Sequence, residues 1–293
     1  MNLKAYLKSR QEKIDRALDR HLPKENLKPT TIHKAMRYSL FAGGKRLRPI
    51  LCLAAAEACD GKIDNALSLA CALECIHTYS LVHDDLPSMD NDDFRRGRLT
   101  CHKVFGDGIA VLAGDALLTI AFEIVSRAKP TSRYNMSILL HEIAVAAGSQ
   151  KLIAGQVADL EAEGRKANRA QLRYIHENKT AAILTTSVRL GAMSANADAR
   201  KLNVITQFGR ALGLAFQIID DILDVTQTSE KLGKSAGKDV AARKATYPAV
   251  IGLEKSRAEA RRLTRRAHEA LSVFGHKAEA LHSLANYLLE REY

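Results

Sequence analysis

The chain has no tryptophan and only six prolines among 293 residues, and aromatic residues make up 5%. Strands favour aromatic and β-branched residues in alternation, and such alternation is almost absent. Scarce proline leaves long helices uninterrupted. The five cysteines, Cys52, Cys59, Cys71, Cys75 and Cys101, are an odd number and form no CxxC. That argues against a disulfide framework and against a zinc site. Reduced thiols inside the core of a cytoplasmic protein are expected instead. Long apolar runs are missing too. The longest, IAVLAGDALLTIAF, is short and contains Asp115, below the roughly 18–20 residues that span a bilayer. The first residues, MNLKAYLKSRQEKIDRALDR, are polar and amphipathic and lack a signal-peptide apolar region. No stable membrane insertion is expected.

Acid is in the minority: 44 Lys+Arg against 33 Asp+Glu give a net charge of +11. A basic balance favours anionic partners. Nucleic-acid binders often carry a basic arm with interleaved aromatics, but here the basic residues are scattered. Nucleic acid is therefore not the expected partner, and a phosphorylated small molecule fits better.

What is present is helical periodicity. Apolar residues recur at three- and four-residue spacing over 2–22, 30–42, 47–59, 64–85, 107–127, 135–161, 168–191, 196–225 and 244–291. Breaks fall at Pro23, Pro29, Gly43–Gly44, Asp60–Gly61, Pro87, Pro130 and Gly164. None resembles an interdomain linker. The reading is an all-α fold, one domain over residues 1–293 built as a bundle of about ten helices.

The scarce acids are unevenly spread. HDDLPSMDNDDFRRG at 83–97 ends an apolar helical run with Asp84, Asp85 and Asp90, then reverses sign at Arg95 and Arg96. Pro87 disfavours helix at Leu86, so the helix should end near Asp85 and let Asp90 fold back toward Asp84. FQIIDDILDV at 216–225 repeats the logic: Asp220, Asp221 and Asp224 stand on an otherwise apolar helix. Asp220 and Asp224 share a face at i, i+4. One such cluster is more often a buried ion-pair network; two change the weighing. All-oxygen ligands suit Mg²⁺, which keeps several waters and is usually shared with substrate phosphate.

Cations complete the set. GGKRLRP places Lys45 and Arg48 on one helical face, His77 lies two turns before Asp84, and Lys179 stands in ENKTAAIL. Lys234 and Lys238 lie in TQTSEKLGKSAGKD, a Gly/Ser/Lys stretch that directly follows the second acids. Arg forks and Lys point charges are common diphosphate ligands. The GKS at 233–235 is no Walker A loop, because Thr228 stands where that pattern needs glycine.

Together and in this order, GGKRLRP, ECIHTYSLV, HDDLPSMDNDDFRRG, DDILD and LGK resemble the short-chain trans-prenyl diphosphate synthases, bacterial farnesyl diphosphate synthases in particular. The resemblance covers nearly the whole chain. It implies helices around a central cavity, a homodimer, and head-to-tail condensation of isopentenyl diphosphate with an allylic diphosphate. It implies that Asp84 and Asp90 bind two Mg²⁺ ions and Asp220 a third, supported by Asp85, Asp221 and Asp224. Arg95, Lys179, Thr180, Gln217, Lys234 and Lys238 are implied for the allylic diphosphate. Lys45, Arg48, His77 and Arg96 are implied for isopentenyl diphosphate, with Phe216 near its hydrocarbon. The stretch 226–239 would close as a lid. Asp92 and Asp93 receive no role. Relatives often end in a basic tail; this chain ends LLEREY, with Arg291 alone available.

Product length is then a question of helix geometry. Ser80 lies one turn below Asp84, and Tyr79 roughly 7.5 Å below at about 1.5 Å per residue. A bulky Tyr79 should floor the tunnel. In the family an aromatic residue there, together with a two-residue insertion in the first motif (DD, four residues, then D), goes with a C15 product, and small residues there go with C20. The sequence expectation is thus farnesyl diphosphate, with geranylgeranyl diphosphate as the alternative. A terpene cyclase needs no second diphosphate site, and a non-catalytic synthase subunit typically loses one acidic motif. Both fit less well.

Overall fold

The computed structural model describes residues 1–165, 167–226 and 246–289. Fourteen α-helices run through the described residues: α1 Leu3–His21, α2 Thr30–Leu40, α3 Leu47–Ala58, α4 Ile63–Asp84, α5 Cys101–Phe105, α6 Asp107–Ser126, α7 Met136–Ala147, α8 Leu152–Ala162, α9 Arg169–His176, α10 Ala182–Ser194, α11 Ala199–Thr226, α12 Tyr247–Ile251, α13 Leu253–Ala270 and α14 Glu279–Leu289. A π-helical turn, Glu177–Ala181, joins α9 to α10, and a 3-10 segment, Leu271–Ala278, joins α13 to α14. The fold is the all-α bundle that the periodicity predicts.

The packing order follows the apolar faces. α6 lies on α4, α4 on α3, α3 on α10, α10 on α11, and α11 on α13. In α4, Leu69, Ala70, Cys71, Ala72, Leu73, Cys75 and Ile76 are consecutive but for Glu74 and all are fully buried. Apolar residues on every side make it a central helix. α13 is a surface helix instead: Ser256, Ala260, Leu263 and Ala267 face inward at four- and three-residue spacing, and Arg and Glu fill the rest. α6 and α11 are long and apolar enough to cross a bilayer by composition alone. α11 is mostly buried in the bundle and carries three aspartates.

Local sequence sets the helix ends. Asn2, Asn135, Asn168 and Thr246 cap their helices through the side chain, Asn168 in a full capping box with Gln171. α4 stops at Asp84 with Asp85 as its cap, as Pro87 requires.

The expected helix over 135–161 is broken between Ala147 and Leu152, and the one over 168–191 is interrupted by the π turn. The stretch 244–291 divides at Gly252 (φ +86°) and again around Gly275 (φ +55°), where the backbone is left-handed. A minimal hairpin also forms between Phe94–Arg95 and Arg98–Leu99. Its two turn residues, Arg96 and Gly97, both have positive φ, the geometry that matches strand twist.

Candidate active site

The first acids are held by their own backbone. The Asp90 amide donates to the Asp84 carbonyl at 2.9 Å, and the Asp92 amide to the Asp85 carbonyl at 3.2 Å. The loop therefore folds Asp90 back toward the end of α4. Asp84 is half-buried and lines a cavity of about 500 Å³. Burial, with the Asp90 and Asp85 carboxylates against the pull of Lys179 and Arg95, pushes its carboxyl up to about 6. Such a group is short of positive charge. Asp85 is buried and bonded by the Arg95 guanidinium, Nε to Oδ1 2.6 Å. It orients Arg95, which also reaches Asp92 at 3.5 Å. Asp93 pairs with Lys103 at 2.9 Å. Asp92 and Asp93 thus brace the hairpin.

The second acids divide in the same way. Asp221 is buried and accepts the Tyr247 amide at 2.8 Å, which ties α11 to the start of α12. Asp224 is buried, and its Oδ2 has no hydrogen-bond partner among the described residues. An orphaned buried carboxylate oxygen fits a cation, and so does the Asp84 environment. Among the described residues no three His, Cys, Asp or Glu side chains form a ready metal cage. Mg²⁺ needs none, since one or two carboxylates and substrate phosphates normally suffice.

The π turn presents Lys179 and Thr180 to the cavity. Lys179 Nζ bonds Asp159 at 2.6 Å, and Thr180 Oγ1 donates to Gln217 Oε1 at 2.8 Å. Two glycines let neighbouring helices press on this turn. A Cβ at Gly155 would fall 2.1 Å from the Lys179 nitrogen, and one at Gly213 2.6 Å from Ala181 Cα. π insertions are frequent at functional sites, and here the insertion sets where Lys179 stands.

Arg48 and Arg96 set two guanidiniums around the His77 imidazole, with Arg48 and His77 in the cavity lining. Burial lowers the Arg48 guanidinium to about 10, with Arg96 adding to the effect against the pull of Glu74. Its Nε is buried with no partner among the described residues. Burial, then Arg48 and Arg96, holds His77 well below its usual range, so it is neutral at pH 7. Two guanidiniums concentrated in this way are of the kind that can hold an anion. Arg96 also donates to the Gly43 carbonyl. Its guanidinium occupies the space of a Cβ at Gly44, whose φ is +115°.

Tyr79 and Ser80 line the cavity with Leu152, Val157 and Ile183. Tyr79 is 5% exposed and meets His83 edge-to-face at 5.8 Å. Lys45 lies outside the lining, with its ammonium 5.0 Å from the Tyr287 ring. Phe216 is half-buried against the core rather than in the cavity wall. Lys234, Lys238 and Arg291 lie outside the described residues. Sequence reasoning missed Asp159 and the α8 wall. Their signal is Gln156 and Asp159, two polar residues three apart in the run LIAGQVADL.

A family model for polyprenyl synthetases matches residues 29–284. The chain belongs to the polyprenyl synthetase family. Prenyl chain elongation is the activity this membership supports. A chloroplastic geranylgeranyl pyrophosphate synthase of Catharanthus roseus is 49% identical over 295 residues, covering 99% of this chain and 82% of that protein. Other relatives, 45–48% identical, bear the same geranylgeranyl name or that of the large subunit of a heterodimeric form. Among solved structures, a putative farnesyl-diphosphate synthase from Marinomonas sp. MED121 superposes with a TM-score of 0.86 at 39% identity, covering 99% of both chains. A geranyltransferase from Helicobacter pylori, complexed with magnesium and isoprenyl diphosphate, gives 0.86 at 33% identity and the same coverage.

Proposed function

We propose that this polyprenyl synthetase joins isopentenyl diphosphate head-to-tail to an allylic diphosphate in a Mg²⁺-dependent reaction. The observation that carries the reading is one cavity lined by Asp84, Lys179, Thr180, Arg48 and His77 together with an apolar wall that includes Leu152, Val157 and Ile183. In the reaction the allylic C–O bond breaks and diphosphate leaves. A C–C bond forms to isopentenyl diphosphate, and a proton is lost to the departed diphosphate. Magnesium, held by Asp84, Asp90 and Asp220 in up to three ions, would supply positive charge to the leaving group. Lys179 adds a fixed cation there. Thr180 and Gln217 offer neutral oxygen dipoles to the carbocation without a base strong enough to trap it. The apolar wall keeps water from capturing it. Incubation of the purified protein with Mg²⁺, isopentenyl diphosphate and either dimethylallyl or geranyl diphosphate should yield longer prenyl diphosphates. No turnover with either starter would sink the reading.

For product length, the names of the relatives favour C20, geranylgeranyl diphosphate, and we take that as the leading reading. It has a structural route. Val111, Ile153, Val157 and Leu160 line the cavity between α6 and α8 and are each partly exposed, so a tail can turn sideways above Tyr79. The second reading, C15, rests on Tyr79 as the floor. Sizing the products of two variants separates them. If the tail passes between α6 and α8, Val157→Phe shortens the product and Tyr79→Ala leaves it unchanged. If Tyr79 is the floor, Tyr79→Ala lengthens it instead. The same exposed apolar band, with Leu112, is where we place a second copy in a homodimer.

A further inference from the structure

The largest cavity among those described is not the catalytic one. It measures about 600 Å³ and lies on the opposite side of the π turn and α10, against α7, α11 and α13. Thr180 and Ile183 line the catalytic cavity, whereas Ala181, Ala182 and Thr185 line this groove. Its floor is apolar, with Ala146, Ala211, Leu214 and Leu263. Five basic side chains on its wall face two carboxylates. Arg189 is consumed by Glu142 at 2.6 and 2.9 Å, and Arg173 by Glu177 at 2.7 Å. Arg210 and Arg266 have no ion-pair partner among the described residues, and Lys151 bonds only the neutral Asn178 Oδ1, at 3.3 Å. Thr185 is 8% exposed, and its Oγ1 is buried without a partner among the described residues.

We propose that this groove is a second binding site, for a small anion with a compact apolar body, and that its occupation weakens the catalytic site. Charge complementarity selects the anion, since among the described residues Arg210 and Arg266 have no anionic partner, Lys151 has only a neutral acceptor, and the Thr185 hydroxyl has no partner. The apolar floor selects the body. Coupling runs through one side chain. Asn178 is buried on the π turn beside Lys179, donates to the Tyr174 carbonyl at 2.8 Å, and depends on Lys151 for its Oδ1. An anion that draws Lys151 into the groove leaves that buried oxygen unpaired, which is costly. The π turn then shifts, and Lys179 moves with it. The effect on turnover rests on the proposed prenyl transfer; the binding does not.

The test uses 8-anilinonaphthalene-1-sulfonate, an aromatic sulfonate of the required kind, on the full chain. Its fluorescence is titrated with the catalytic site saturated by Mg²⁺ and inorganic pyrophosphate. One site should remain, and the doubly substituted Arg210→Glu/Arg266→Glu protein should bind the probe at least about tenfold more weakly, with unchanged melting temperature and basal turnover. Bound probe should raise the KM for the allylic diphosphate several-fold in the wild type and not in that variant. Lys151→Met should show the raised KM without any probe. Complete displacement of the probe by pyrophosphate, undiminished binding to the doubly substituted protein, or a KM indifferent to both probe and Lys151→Met overturns the proposal. A protein that binds the probe this way yet transfers no prenyl group would overturn the proposed reaction and leave the site standing.

Discussion

Asp84→Asn should lower kcat by about three orders of magnitude while raising the melting temperature of the metal-free protein. The loss follows from what the carboxylate is for. Under the proposed reaction it holds the cation that meets charge developing on the leaving diphosphate, and removing one group aimed at such charge typically costs about 10²–10³. On the same reading the Asp84 carboxylate would anchor metal affinity, so raising Mg²⁺ should recover part of the loss. The gain in stability comes from the same carboxylate. Burial and the neighbouring Asp90 push its carboxyl up to about 6, against about 3.9 for a free aspartate. The charged form is therefore disfavoured in the folded state, and Asp84 destabilises the metal-free fold above pH 6 and not below about pH 4. One pKa unit is worth about 1.4 kcal/mol. Discounted for its partial exposure, the substitution should stabilise by ~1–2 kcal/mol at pH 7, a few degrees in melting temperature. Thermal melts at pH 4 and pH 7 check the sign: the gain should vanish at the lower pH. A variant both less stable and less active would show Asp84 to be structural.

Such opposition between stability and activity explains which parts of the molecule were legible. The helices announce themselves through periodicity, and Pro87 ends α4 where it must. The two acidic clusters stand out because charge on apolar helices is expensive. Their internal division of labour does not show. Asp84 and Asp85 are adjacent letters, yet one faces the cavity and the other is bonded by Arg95. Only the turn of the chain after Leu86, closed by backbone hydrogen bonds, decides between them. Asp221 likewise looks like a ligand in DDILD, but the amide that claims it comes from Tyr247, 26 residues on. The π turn is invisible because one inserted residue barely alters a 3.6-residue pattern. It takes the contact of Gly155 and Gly213 on either side to show that the turn is held in place. GGKRLRP suggests Lys45 as a phosphate ligand, but its contact with Tyr287 joins two ends of the sequence that no local pattern links.

The residue directly after Lys45 has the larger structural consequence. Arg46→Met should destabilise the protein by about 3–5 kcal/mol, the usual cost of leaving a buried charge without its partner. Arg46 is 3% exposed and caps α3 in the left-handed region at φ +50°. Its guanidinium donates to Asp15 Oδ1, Glu74 Oε1 and the Leu40 carbonyl, each at 2.8 Å. Glu74, 1% exposed, is the one charged residue inside the apolar run of α4 and stands one turn before His77. The pair therefore pins the 43–48 loop to the helix that carries His77, and sets Arg48 against it. Two effects separate by substitution. The double variant Arg46→Met/Glu74→Met removes both charges, and well-packed apolar replacements of a buried pair are often neutral or stabilising. Its melting temperature should return close to that of the wild type. The loop, however, loses three directed hydrogen bonds that packing does not replace. The KM for isopentenyl diphosphate should stay raised by about an order of magnitude in the double variant, while that for the allylic substrate stays near normal. A double variant with both constants restored would reduce Arg46 to a fold-stabilising residue. One that stays unfolded would show that the three directed bonds, rather than the burial of the two charges, hold α3 and α4 together.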